Sequence, residues 1–263
     1  MDRTDIAKRM KTYEAVAKTA LTRRLPVIIR IDGKAHHSFT RGLRRPFDDL
    51  YMASMQKTML YLCTNIQGRM LGYTQSDEIS LLLVDYKKLT SSAWFDNEVQ
   101  KICSIAASMV TMKFNQTFSS YSSSYINDSI INGINNTDEI KYCNTIQEAA
   151  DRGAMFDARC FTLPKEEVAN YFFWRQYDAT KNAIQMVGRA YFSHNQLNNK
   201  NCSQIQEMLF SEHGVNFNDF PVVQKRGTCC IRTEDGYWNL DMDIPIFKGE
   251  GRQYIEERVY VNE

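Results

Sequence analysis

Between positions 25 and 32 the chain runs Leu25-Pro26-Val27-Ile28-Ile29-Arg30-Ile31-Asp32, and Gly33 follows at once. So short an apolar run, rich in β-branched residues and closed by Asp-Gly, reads as a buried strand. Residues 48–66 then place Leu50, Met52, Met55, Met59, Leu62 and Cys63 on one helical face. Two short strand candidates follow, Arg69 to Tyr73 and Ile79 to Val84. The polar link Thr74-Gln75-Ser76-Asp77-Glu78 joins them as a hairpin. Residues 92–116 resume a helical pattern, and Arg159 to Leu163 is a further strand. The order strand, helix, strand, strand, helix, strand describes an α+β fold built on a ferredoxin-like split β-α-β sheet.

The flanking segments are less constrained. Residues 3–20 repeat Ile6, Met10, Tyr13, Val16 and Ala17 at helical spacing. Pro164 opens a helix to about Phe192, with Glu166 and Glu167 favourably placed near its N-terminus. A short helix is expected at 201–212, and a terminal hairpin at 228–247 with Asp235-Gly236 as its turn. From about Thr117 to Asn144 the composition shifts to Ser, Asn and Tyr. The run Ser119-Ser120-Tyr121-Ser122-Ser123-Ser124-Tyr125 predicts a mobile loop or insertion. The expected organisation is therefore a catalytic core over 1–163, with a Ser/Asn-rich insertion near 117–150. A helical and hairpin extension over 164–263 packs on that core.

With 263 residues and 43% hydrophobic content, a packed core is available. No apolar run approaches the roughly 20 residues of a membrane span, and Met1-Asp2-Arg3-Thr4-Asp5 is too polar for a secretory leader. The expectation is a soluble cytoplasmic protein without a membrane partner. The seven cysteines are scattered, with no CxxC pair and no zinc-ligand spacing. They read as reduced thiols serving as small apolar residues. A net charge of +1 says little about nucleic acid, because binding depends on local contacts. Local patches stand at Arg23-Arg24, Arg41 to Arg45, Lys87-Lys88 and Lys225-Arg226, but such a patch is more often a solvated face than a binding site.

The carboxylates carry more. Asp32 stands at a strand end, and Asp77 and Glu78 stand at the tip of a hairpin that a split β-α-β sheet places alongside. Carboxylates converging on one edge could hold two divalent cations that bridge an attacking oxygen and a triphosphate. Magnesium suits hard oxygen ligands whose remaining positions go to water and phosphate, and Gly33 lets the backbone approach closely. The same residues are also compatible with an ordinary Asp-Gly turn and a solvated hairpin tip.

Five ordered segments resemble the tRNA-histidine guanylyltransferase family. They are Arg30-Ile31-Asp32-Gly33-Lys34-Ala35-His36-His37-Ser38-Phe39, Gly72-Tyr73-Thr74-Gln75-Ser76-Asp77-Glu78-Ile79-Ser80, Phe156-Asp157-Ala158-Arg159, Trp174-Arg175-Gln176-Tyr177-Asp178-Ala179 and Lys225-Arg226-Gly227-Thr228. The resemblance implies a polymerase-like palm that adds nucleotides to the 5′ end of tRNA in the 3′-5′ direction. The 5′ end is activated first, and the 3′-hydroxyl of an incoming nucleotide then attacks it. By resemblance Asp32, Gly33 (through its carbonyl) and Asp77 hold two magnesium ions, and Glu78 is the third catalytic acid. Gly33, Lys34, His37, Arg45, Asp48 and Ser76 match nucleotide-binding positions. Arg30, Lys101 and Arg159 match basic residues of the activation step. Arg175, Lys181, Asn182, Lys225 and Arg226 fall on tRNA-contacting motifs. His36 is expected at the surface.

GTP, ATP and other nucleoside triphosphates are the implied substrates, and a homotetramer the implied assembly. Eukaryotic members carry His-Ile-Asn-Asn after Trp-Arg-Gln-x-Asp-x, where this chain has Thr180-Lys181-Asn182-Ala183. That run resembles the bacterial and archaeal branch, whose implied activity is template-dependent repair of 5′-truncated tRNA. A guanylyltransferase specific for histidine tRNA and a palm-type nucleotide cyclase are the alternatives.

Overall fold

The structure, a computed structural model, describes residues 4–133 and 136–261. After helix α1 (Asp5–Val16), the central strand β1 (Val27–Gly33) leads through a short turn of helix, α2 (His36–Phe39), into α3 (Asp49–Asn65). Strands β2 (Arg69–Gln75) and β3 (Glu78–Leu83) form a hairpin. They precede the long helix α4 (Val99–Ile131), α5 (Thr137–Arg152) and strand β4 (Phe156–Thr162). The second part contains α6 (Lys165–Tyr191), α7 (His194–Leu197), α8 (Cys202–His213), α9 (Val222–Arg226) and the hairpin β5 (Thr228–Arg232) and β6 (Trp238–Asp241).

All six strands form one sheet in the order β4-β1-β3-β2-β5-β6, and every neighbouring pair is antiparallel. The first four strands have the expected split β-α-β order, and the terminal hairpin extends the same sheet beyond β2. The sheet is covered on both faces. Val27, Ile29, Ile31, Ile79 and Leu81 meet Met55, Met59 and Leu62 of α3 and Val110, Phe114 and Phe118 of α4. On the reverse face Ile28, Tyr73 and Leu82 meet Val168 and Phe172 of α6, with Phe247 and Val259 from the C-terminal segment. Each such side chain, fully withdrawn from water, contributes about 1.5–3 kcal/mol. Gly188 lets α8 lie close on α6, because a Cβ there would meet Ile205 at 2.8 Å. Among the described residues no helix is long and apolar enough to cross a membrane.

The expected loop at 117–144 is corrected. Residues 117–131 continue α4 without a break, and 137–152 form α5. The buried stripe Ile102, Ala106, Val110, Phe114, Phe118 and Ser122 runs at four-residue spacing, so the serine occupies a core position by its place on the helix. Tertiary burial overrides the poor helix preference of serine here. Of that expectation, positions 134 and 135 lie outside the described residues, as does the expected helix start at residue 3. The β2–β3 link is tighter than expected: only Ser76 and Asp77 separate the strands, and Ser76 takes φ 49°.

Candidate active site

Strand β1 ends at the site. Asp32 stands across from Glu78 on β3 and from Asp157 on β4. Arg30, two residues back, shares its face by the pleat, and this face looks toward α6. The ring of His36 packs so closely behind Gly33 that an added Cβ would lie 1.9 Å from its Nδ1, which restricts position 33 to glycine. His36 itself is buried at 4% exposure in a box of Phe39, Tyr51, Phe114 and Phe156. This corrects its expected surface position: the first turn after β1 points residue 36 inward and residue 37 outward. Burial lowers the pKa of the His36 imidazole, against the pull of Asp77, Gly33 and Asp32.

The two adjacent acids of the hairpin have opposite environments. Asp77 is half-buried in the turn and makes no hydrogen bond or ion pair among the described residues. Asp32 is half-buried too, with Arg30 Nη2 at 3.9 Å. Its carboxyl is held above the usual carboxylate range, first by burial and next by the negative charge of Asp77, with Arg30 opposing. The charge of Asp77 felt at Asp32 brings two carboxylates to one place, which is a cation site by chemistry. Among the described residues no group of three or more His, Cys, Asp or Glu side chains could hold a metal. An ion here would therefore use Asp32, Asp77 and a backbone carbonyl such as that of Gly33, with water and phosphate completing its shell. That donor set fits magnesium.

Glu78 is not a free acid, and its placement at an open hairpin tip is corrected. At 3% exposure it accepts hydrogen bonds from Arg30 Nε at 2.9 Å and from Arg175 Nε and Nη2, both at 2.7 Å. Arg30 Nη2 lies 2.8 Å from the same carboxylate. The first residue of β3 takes the same face as Asp32, which α6 covers. Arg175 is likewise corrected: at 4% exposure, with its guanidinium spent on Glu78 and Asp178, it is not presented to RNA. Ser80 and Tyr171 join the same buried seam at 2.7 Å.

Beside Asp77 lies a cavity of about 550 Å³, a size that suits a nucleotide-scale ligand. It gathers His37, Arg45, Asp48, Ser76, Asp77, Asn182 and Lys225 from distant parts of the chain. Asp48 is there as a cap: its carboxylate accepts from Tyr51 N at 2.9 Å, Arg44 N at 3.1 Å and the Tyr142 hydroxyl at 2.8 Å, fixing the start of α3. Lys225 is carried by α9, which Thr180 and Tyr73 tie down by donating to the carbonyls of Lys225 and Arg226.

Other expected residues lie elsewhere. Lys101 is exposed in the first turn of α4 and pairs with Glu98, Arg159 pairs with Asp157, and Arg226 donates to the Ile244 carbonyl. Lys34, Lys101, Arg159, Lys181 and Arg226 do not line the cavity. Conversely, Arg41, Arg44 and Arg189 do line it, and none of the three is among the expected site residues. The Arg41–Arg45 patch was visible in the sequence. Arg189 follows Asn182 and Met186 at helical spacing on α6, a signal that could have found it.

The family model described as tRNAHis guanylyltransferase matches residues 7–164, a span that includes Asp32 and Asp77. A solved structure of a bacterial tRNA(His) guanylyltransferase-like protein in complex with ATP is 42% identical. The match covers 98% of this chain and 100% of that one, with a TM-score of 0.82. A second bacterial protein of the same description, in complex with GTP, is 38% identical over 97% of this chain and 100% of that one, at a TM-score of 0.73. A probable tRNA(His) guanylyltransferase of Dictyostelium discoideum is 26% identical over 78% of this chain and 75% of its own length.

Proposed function

The chain belongs to the tRNAHis guanylyltransferase family, and from that premise we propose that it repairs 5′-truncated tRNA by template-dependent nucleotide addition in the 3′-5′ direction. As a member it is a nucleotidyltransferase that adds nucleotides to the 5′ end of tRNA. The observation that carries the reading is the pair Asp32 and Asp77, two half-buried carboxylates close enough for the charge of Asp77 to raise the pKa of Asp32, with Asp77 lining a basic cavity. In this reading β1–β4 with α3 and α4 form a polymerase-like palm over residues 1–163, and 164–263 is the extension packed against it.

Asp32, Asp77 and the Gly33 carbonyl are the residues that would hold magnesium, whose chemistry is to offset negative charge between a triphosphate and the attacking hydroxyl. Arg41, Arg45, Arg189 and Lys225 line the cavity with positive charge that binds and orients the triphosphate of ATP or GTP. His37 and Ser76 border the same space. The buried Arg30–Glu78–Arg175 cluster clamps β1 to β3 and to α6, so Asp32 and Asp77 keep their relative position. With the tRNA 5′ phosphate activated by ATP, the 3′-hydroxyl of the incoming nucleotide displaces the activating group in line, and positioning supplies much of the acceleration. The run Thr180-Lys181-Asn182-Ala183 supports selection by base pairing over recognition of one tRNA. Homotetrameric assembly belongs to the same reading.

The test is extension of a tRNA lacking its first nucleotide, supplied with magnesium and nucleoside triphosphates. Wild type is expected to add the nucleotide that the opposing 3′ strand specifies, whichever base that is. Asp77→Ala should abolish addition while its melting temperature stays within about 2 °C of wild type, since among the described residues the side chain has no hydrogen-bond or ion-pair partner to lose. Extension by Asp77→Ala would overturn the site, and addition of guanosine alone to histidine tRNA alone would overturn the repair reading.

A further inference from the structure

A second cavity, of about 480 Å³, opens at the opposite end of the sheet. It lies between the start of β2, the end of β3 and the β5–β6 hairpin. Strand β2 runs the whole way between the two cavities, roughly 20 Å at about 3.3 Å per residue, and they share no lining residue. Arg69, Lys87, Arg232 and Arg258 line this second cavity against a single carboxylate, Glu257, which accepts from Gln253 Nε2 at 2.8 Å.

None of the four cations forms an ion pair among the described residues. Arg232 and Arg258 donate only to the carbonyls of Gly236 and Tyr254, and the Nε of Arg69 is buried without an acceptor. Four like charges around one hollow repel one another. An anion with several acceptor oxygens relieves that repulsion. Trp238 lines the same hollow, its ring 5.5 Å from the Arg69 guanidinium, and offers an apolar plane beside the charge.

We propose that this cavity binds a nucleoside phosphate, free or at the end of an RNA strand, with the four cations on the phosphate and Trp238 against the base. The volume lies within the roughly 300–1,000 Å³ of small-ligand pockets, and an aromatic plane next to guanidinium groups is the pairing that holds a base and its phosphate together. The site is separate from the carboxylates and does not depend on their role.

The test is photo-cross-linking of the full chain with 8-azidoadenosine 5′-monophosphate in chelator at low salt, followed by peptide mapping. Label is expected on the peptide containing Trp238. Arg69→Gln with Arg232→Gln should reduce it about tenfold or more, as loss of two charge-assisted hydrogen bonds predicts, whereas Asp77→Ala should leave it unchanged. If the double variant melts far below wild type, Lys87→Gln, an exposed side chain, is scored instead and should weaken labelling several-fold. Competition by AMP marks a free nucleotide as the source, and competition by a 5′-phosphorylated RNA oligonucleotide marks a strand end. Label confined to the Asp77 cavity would overturn the proposal. So would labelling indifferent to these variants, or displacement by inorganic phosphate as effective as by AMP.

Discussion

Asp77 and Glu78 are neighbours in the chain, yet one faces a cavity with no partner among the described residues and the other is gripped by two arginines. Glu78→Ala would strand Arg30 and the buried Arg175 without their counter-charge, which typically costs about 3–5 kcal/mol. Thermal melting should register a fall on the order of 10 °C, and Glu78→Gln a smaller one. The sequence could mark Glu78 as important but could not assign its role, because its partners stand 48 and 97 positions away. Asp32 makes the opposite prediction. Its pKa is raised in the fold, so the folded chain binds that proton more tightly than the unfolded chain. Stability from this group is present at low pH and lost as pH rises through the raised value. In chelator at neutral pH, Asp32→Asn should therefore melt above wild type, the gain vanishing as the buffer is taken down into the carboxylate range. Added magnesium should raise the melting temperature of wild type more than that of the variant.

At the level of elements, α4 shows where a composition rule yields to packing. Its apolar stripe was legible as far as residue 116, and Arg30-Ile31-Asp32 and the β2–β3 hairpin were legible as strands because their patterns are local. Beyond Phe118 the stripe continues through Ser122, whose hydroxyl is buried without a hydrogen-bond partner. Composition cannot distinguish a serine exposed in a loop from one held on a helix by its neighbours. Ser122→Ala should raise stability by about 1 kcal/mol, combining better helix propensity with removal of an unpaired polar atom. Ser122→Pro should cost about 3 kcal/mol or more by breaking the helix. Chemical denaturation of both variants checks this, and a mobile loop would leave both unchanged.

Taken whole, the molecule threads its two parts through one sheet. The family match ends at residue 164, but the strand that covers β2 arrives only with Thr228–Arg232. A fragment of residues 1–164 would leave β2 as a bare edge and Glu78 without Arg175, so gel filtration and circular dichroism should find it aggregated or unfolded. The Glu78 clamp also bears on biosynthesis. Ribosomes deliver roughly 5–20 residues per second, and Arg175 lies 97 positions beyond Glu78. For roughly 5–20 s of translation a nascent chain therefore holds the carboxylate without half of its eventual counter-charge.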